Sequence, residues 1–240
     1  MEKPRPKFRR IVVVLLTVIG VGGLSALGVW QLERRVWKLA LIERVDQRIH
    51  AAPVAPPAPG DWPAVTAAAD EYRRVGVSGH FLNDHETLVR AATELGNGYW
   101  VMTPFRTDQG FTILVNRGFV PPDRLHPADR QAGEIDGKTL VTGLLRMTEP
   151  KGGFLRKNHP GQDIWYSRDV AAIAAARNLT DIAPYFIDAD AINRGWPRGG
   201  MTVIDFPNNH LVYAITWFAM ALLLAIGVIA AFRSEQKRPR

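Results

Sequence analysis

The chain has 240 residues, no cysteine and a formal net charge of +7, with a pI near 10.0. The absence of cysteine excludes disulfides, C-x-x-C-H haem attachment and thiolate metal sites, and five scattered methionines make no copper-carrying run. The positive excess lies in the two tails, and residues 31–210 balance 21 basic against 21 acidic side chains, so the clustered positive surface that a nucleic-acid partner needs is not expected.

Residues 1–10 form a basic tail with Lys3, Arg5, Lys7, Arg9 and Arg10 against Glu2. Ile11 to Trp30 contains no charged residue and, at about 1.5 Å per residue, is long enough to cross a bilayer core as a helix. The run exceeds the apolar region of a secretory signal, and Ser25-Ala26-Leu27-Gly28 offers leucine where cleavage wants a small side chain. Residues 31–50 read as a juxtamembrane helix. Leu32, Val36, Leu39, Ile42, Val45 and Ile49 recur at helical spacing, and Trp37 and Lys38 suit the headgroup region. Residues 51–63 hold five prolines, which forbid a regular helix and predict an extended linker. Residues 64–210 form the domain, residues 211–232 a second uncharged span, and residues 233–240 a second basic tail. By the positive-inside rule both tails are expected in the cytoplasm and the domain on the other side. Arg34, Arg35 and Lys38 weigh against this orientation. The stretch Gly199 to Phe232, free of Lys and Arg, weighs for it.

Within the domain, Tyr72 to Leu82 alternates as a strand and turns at Asn83-Asp84. Glu86 to Ala92 is a weaker strand. Trp100 to Arg106 and Phe111 to Asn116 flank a hairpin turn at Thr107-Asp108-Gln109-Gly110. Lys138 to Thr148 is a further strand, Asp163 to Ser167 a short one, and Arg168 to Asn178 an alanine-rich helix. Pro184 to Asp188 and Met201 to Phe206 look extended. These elements predict a membrane protein of α+β class, with two transmembrane helices flanking a mainly antiparallel sheet or small open barrel.

The first candidate site residue is His210, where the second span begins. Asn208 or Asn209 can cap that helix, and the positive end of its dipole disfavours a protonated ring. Tyr213 at i+3 and Trp217 at i+7 share the histidine's face and could wall a flat cofactor. His210 then either ligates a metal, a haem iron above all, or bonds a carbonyl or water at the interface. Asp188 and Asp190 fall on one side of a strand, where a carboxylate pair either performs acid–base chemistry or ends the strand. Asn116-Arg117-Gly118 either presents a guanidinium to a partner or propionate, or closes a strand with a glycine turn. Gly22 and Ala26, with Gly20, Gly23 and Gly28, give the first span a small-residue surface for its sister span or for a partner's membrane subunit.

A family likeness rests on a series of short motifs: Leu27-Gly28-Val29-Trp30-Gln31-Leu32, Tyr72-Arg73 with Gly79 and Phe81, Gly98-Tyr99-Trp100, and Val115-Asn116-Arg117-Gly118. Thr142-Gly143, Glu149-Pro150 and Trp165-Tyr166 with Asp169 continue it. Phe206-Pro207-Asn208-Asn209-His210-Leu211 with Tyr213-Ala214 and Thr216-Trp217 complete it. In this order, on a two-span layout, the chain resembles the surfeit-locus protein one family, membrane assembly factors of cytochrome c oxidase. The resemblance implies a non-enzymatic factor that binds haem a and assists its insertion into the catalytic membrane subunit. It maps the family's candidate haem ligand onto His210 and a nearby aromatic onto Trp217. Partners implied are the oxidase catalytic subunit, haem a synthase and membrane lipids. The short basic start leads to the expectation of a bacterial inner (plasma) membrane and a periplasmic domain. The alternative is a structural chaperone that holds oxidase subunits without haem. A hydrolase using Asp188 and Asp190 is a third reading.

Overall fold

The computed structural model describes residues 6–153, 155–191, 195–204 and 206–236. They fall into two units, one formed by the terminal helices and one by Val45–Ile204.

In the terminal unit, α1 (Pro6–His50) is a single helix of 45 residues, so the span and the juxtamembrane helix are continuous. Helix α4 (His210–Gln236) is the second span. Both are long and apolar enough to cross a membrane, and their apolar side chains are largely exposed. The helices meet where side chains are smallest. A Cβ added to Gly28 would lie 2.7 Å from the Phe218 ring, and one on Gly20 would lie 3.0 Å from Leu224. Ala214 and Ala221 are buried. Gly22 and Gly23 face open space, so the span-to-span contact uses Gly20 and Gly28 instead of the Gly22 and Ala26 pair.

The other unit is a barrel. Its strands are β1 (Arg74–Phe81), β2 (Thr87–Thr93), β3 (Gly96–Thr107), β4 (Thr112–Val120), β5 (Lys138–Met147) and β6 (Ile182–Ala189), and the one-turn helix α2 (Ala67–Asp70) precedes them. They run in the order β1-β5-β6-β4-β3-β2. The long strand β3 closes the ring. Its first half pairs with β2, its last residues pair with β1 through Phe105–Thr107, and β4 pairs along its other edge. Five strands thus form a closed barrel and β2 hangs on the outside. Closure depends on Gly79, where a Cβ would collide with the Arg106 carbonyl oxygen. The sheet is mixed, because β4 and β6 are parallel.

Strand β1 alternates buried and partly exposed residues, as a half-covered strand does. Strand β4 is buried at every position, since both of its faces are covered. The barrel interior holds Val75, Phe105, Ile113, Val115, Val141, Leu145, Tyr185 and Ile187. A second cluster of Val89, Met102, Leu114, Trp165, Ile173 and Phe186 packs outside, beneath α3 (Val170–Ala176). Asp169 caps α3 by accepting from the Ala172 N–H at 3.1 Å.

Three expectations change. The proline-rich segment read as a linker lies on the barrel wall: Val54 bridges Val75, and the Tyr185 hydroxyl donates to the Pro57 carbonyl at 2.6 Å. Trp62 stands edge-on to Phe111. Prolines have no N–H to satisfy, and their rings and carbonyls serve this packing. Asp163 to Ser167 forms only isolated bridges, because Asn158 captures the Tyr166 and Ser167 N–H groups. Met201 to Phe206 forms no strand among its described residues, and position 205 lies outside them.

Candidate functional site

His210 opens α4 and is half-buried. Its Nδ1 lies 2.8 Å from Oε1 of Gln31, one residue beyond the apolar run of α1. An amide oxygen only accepts, so Nδ1 is the donor in this contact, and the neutral ring that makes it carries its lone pair on Nε2. Among the described residues Nε2 has no hydrogen-bond partner. Metal-binding histidines are commonly held this way, one nitrogen donating to an orienting acceptor while the other binds. Tyr213 is 56% exposed and Trp217 is half-buried, so both ring surfaces remain partly accessible beside the histidine. The three predicted residues therefore share one helix face. The expected cap differs. Among the described residues Asn208 Oδ1 is buried without a partner, and it is the Asn209 backbone carbonyl that accepts from Tyr213 N–H. Gln31 is the residue that sequence reasoning missed. It stood inside a family motif with no role, because its partner lies 179 positions away.

The barrel unit carries a second polar centre around Asp188 in β6, which is 5% exposed. Asn116 donates to its Oδ1 at 2.8 Å, as does Arg168 at 3.1 Å. Arg146 and Thr202 donate to Oδ2 at 3.1 and 3.0 Å. Arg168 also forms a two-pronged pair with Glu149, with bonds of 3.1 and 2.5 Å. Burial acts first on Glu149 and would raise its carboxyl, but Arg168's hydrogen bonds and charge outweigh it and hold the group below the usual carboxylate range. Burial likewise pulls Arg168 down, while Glu149 and Asp188 more than restore it. A cavity of about 180 Å³ beside this network is lined by Trp100, Arg146, Arg168 and Thr202.

This arrangement speaks against the hydrolase reading. Asp188 is saturated by four donor groups, and Asp190 is separately occupied by Arg74 at 2.6 Å and Thr142 at 3.0 Å. Both carboxylates are held in ion pairs within the domain. Arg117 does not reach outward either. Its guanidinium is buried, stacked on Phe81, and donates to the Gly133 carbonyl at 2.6 Å and to Asn83. Desolvation lowers it from the ordinary arginine value, partly offset by Glu86.

Two membrane-crossing helices at the ends and a closed barrel between them in sequence define a membrane-anchored β-barrel protein. The SURF1 family model matches residues 18–222. Surfeit locus protein 1 of Rattus norvegicus is 40% identical over 212 residues, which are 81% of this chain and 67% of that one. The Homo sapiens protein of the same name is 38% identical over 233 residues, 89% and 74% of the two chains. The SURF1-like protein of Monosiga brevicollis is 39% identical over 219 residues, 84% and 81%. This chain belongs to the SURF1 family, and membership supports a role in cytochrome c oxidase assembly.

Proposed function

We propose that the protein serves oxidase assembly by holding haem a as cargo at His210 and assisting its insertion into the catalytic membrane subunit. The supporting observation is the hydrogen bond between His210 Nδ1 and Gln31 Oε1, which leaves Nε2 as the ligating atom. The residues fit the group. A single imidazole is a common axial ligand of haem iron, and Tyr213 and Trp217 offer partly exposed aromatic surface on the same face. Bound haem a would supply an iron able to take a nitrogen ligand. The chain's own part is to bind through His210, to orient that ring through Gln31 and to flank the site with aromatic surface.

The reading assigns no chemical step to the protein, which makes it a carrier and not an enzyme. Haem a synthase is the proposed donor and the oxidase catalytic subunit the acceptor. The location is a bacterial inner (plasma) membrane with both termini cytoplasmic and the barrel periplasmic. Arg10 and Glu235 lie 3.4 Å apart, which brings the outer ends of both spans together on the side that also carries Arg9 and Arg233. Anionic lipid headgroups are the expected neighbours of those tails.

The test is the optical spectrum of the protein purified in detergent from cells that make haem a. Wild type is expected to carry a haem a spectrum, and His210→Ala to lose it. Equal haem content and equal spectra in both would remove His210 as ligand. A haem-free wild type that still co-purifies with the catalytic subunit would favour the structural-chaperone alternative.

A further inference from the structure

Strand β2 is an edge. It pairs through Thr87–Thr93 with β3 alone. Among the described residues its other side is bonded only at its middle, where the Arg90 N–H donates to the Trp165 carbonyl at 3.0 Å. In an antiparallel pair the backbone groups of alternate residues point to opposite sides, so Ala92 turns its N–H and C=O outward as Arg90 does. Among the described residues neither group of Ala92 has a partner. The chain after Trp165 cannot continue along this edge, because Asn158 holds Tyr166 and Ser167 away from it at 2.8 and 3.2 Å.

Beside the free edge lies a groove of about 500 Å³. Tyr166 stands in it between two cations: the Arg90 guanidinium carbon is 5.3 Å from the ring centroid and that of Arg156 is 5.4 Å. Among the described residues neither guanidinium makes a hydrogen bond or ion pair, and no carboxylate lines the groove. Elsewhere in the domain the buried arginines are bonded: Arg130 to Glu86, Arg117 to Gly133, Arg146 and Arg168 to Asp188. Stacking on Tyr166 orders the two free cations while leaving their forked donors open, which suits carboxylate recognition.

We propose that this groove binds an extended acidic segment of a partner polypeptide, which adds as a short strand at Ala92 and places carboxylates on Arg90 and Arg156. The unpaired donor and acceptor on one residue match an extended backbone, a complementarity that a lipid headgroup lacks. Ala91 and Ala92, with side chains no longer than a methyl, leave room for the added chain. The site shares no residue with His210, so its fate is independent of the haem reading.

The probe is a fluorescein-labelled peptide of alternating valine and aspartate, titrated by anisotropy against the full chain in neutral detergent micelles. Saturable binding is expected. Arg90→Ala, Arg156→Ala and Ala92→Pro should each weaken it about tenfold, the effect of one charge-assisted or backbone hydrogen bond. Ala92→Pro removes an outward donor and spares the ladder to β3, as proline does on an edge strand. Arg124→Ala, which loses a surface bond to the Asp129 carbonyl, should change nothing. An unchanged thermal transition in each variant separates lost binding from lost folding. No binding by wild type, or binding undiminished by the arginine changes, overturns the proposal. Loss with the arginines and none with Ala92→Pro overturns strand addition. An arginine-dependent response to soluble short-chain phosphatidylglycerol, with none to the peptide, would reassign the groove to lipid.

Discussion

Gln31 and His210, from different spans, are joined by a 2.8 Å hydrogen bond at the end of the apolar run of α1. The bond sets the tautomer of the imidazole and limits its rotation, which a lone histidine at a helix start cannot do for itself. Gln31→Ala removes the acceptor and leaves Nε2, the proposed ligand atom, in place. Haem a retained after purification is expected to fall about tenfold or more, with Gln31→Glu recovering most of it because a carboxylate also accepts from Nδ1. Equal retention in wild type and Gln31→Ala would show that the bond plays no part.

Gly28 and Gly22 lie in the same helix and make opposite predictions. A Cβ at Gly28 would meet Phe218 at 2.7 Å, whereas one at Gly22 meets nothing within 4 Å. Gly28→Ala should therefore displace the Phe218 ring from the contact, at a cost of up to about 1–3 kcal/mol, as overpacking does. Gly22→Ala should be neutral or slightly stabilising, since alanine is the better helix former. Thermal unfolding of both variants in the same detergent checks the contrast.

Much of this was legible in the sequence, and the rest was not for stated reasons. The spans showed as uncharged runs, and most strands as alternation, because these patterns are local. The parallel pairing of β4 with β6 and the closure of β1 on β3 are contacts between distant segments, and periodicity carries no trace of them. His210 was legible from its place at a helix start, with Tyr213 and Trp217 at helical spacing. Its orientation by Gln31 needed three dimensions. Asp188 drew notice as half of a carboxylate pair with Asp190. Its partners Asn116, Arg146, Arg168 and Thr202 come from four separate segments, and they turn the same residue from a candidate base into a buried counter-ion.

That role makes Asp188 a costly position to change. Asp188→Ala would leave the Arg146 and Arg168 guanidiniums facing each other without the carboxylate that now separates them. Removing one partner from a buried ion pair typically costs about 3–5 kcal/mol. For a domain of this size that lowers Tm by about 10 °C or more. Asp188→Asn keeps an acceptor and loses the charge, so it should fall between wild type and alanine. A Tm within about 2 °C of wild type for Asp188→Ala would show that the arginines find other partners.

The orientation has a separate test. A reporter active only outside the cytoplasm, inserted near Pro57, is expected to work, and the same reporter fused after Arg240 is expected to be silent. The two spans put both ends on one side, so the reverse pattern would place the barrel in the cytoplasm and leave the positive tails outside, against the positive-inside rule.

Glu149 contributes to the acid limb of stability. Its carboxyl is held below the ordinary 4.5 because Arg168's hydrogen bonds and charge outweigh the upward pull of burial. A depressed carboxyl binds its proton more weakly in the folded chain than in the unfolded one. Its contribution is therefore fully present above the unfolded value and is lost as pH falls through the folded value. Because the side chain is 40% exposed, solvent screens part of the pair. The Tm difference between wild type and Glu149→Gln is expected to be constant near neutrality and to shrink below about pH 4. Raised salt should narrow the same gap at neutral pH, because the exposed part of the pair is screened. A gap that stays constant on acidification would mean that Glu149 stabilises the fold by packing or neutral hydrogen bonding, with no share from its charge.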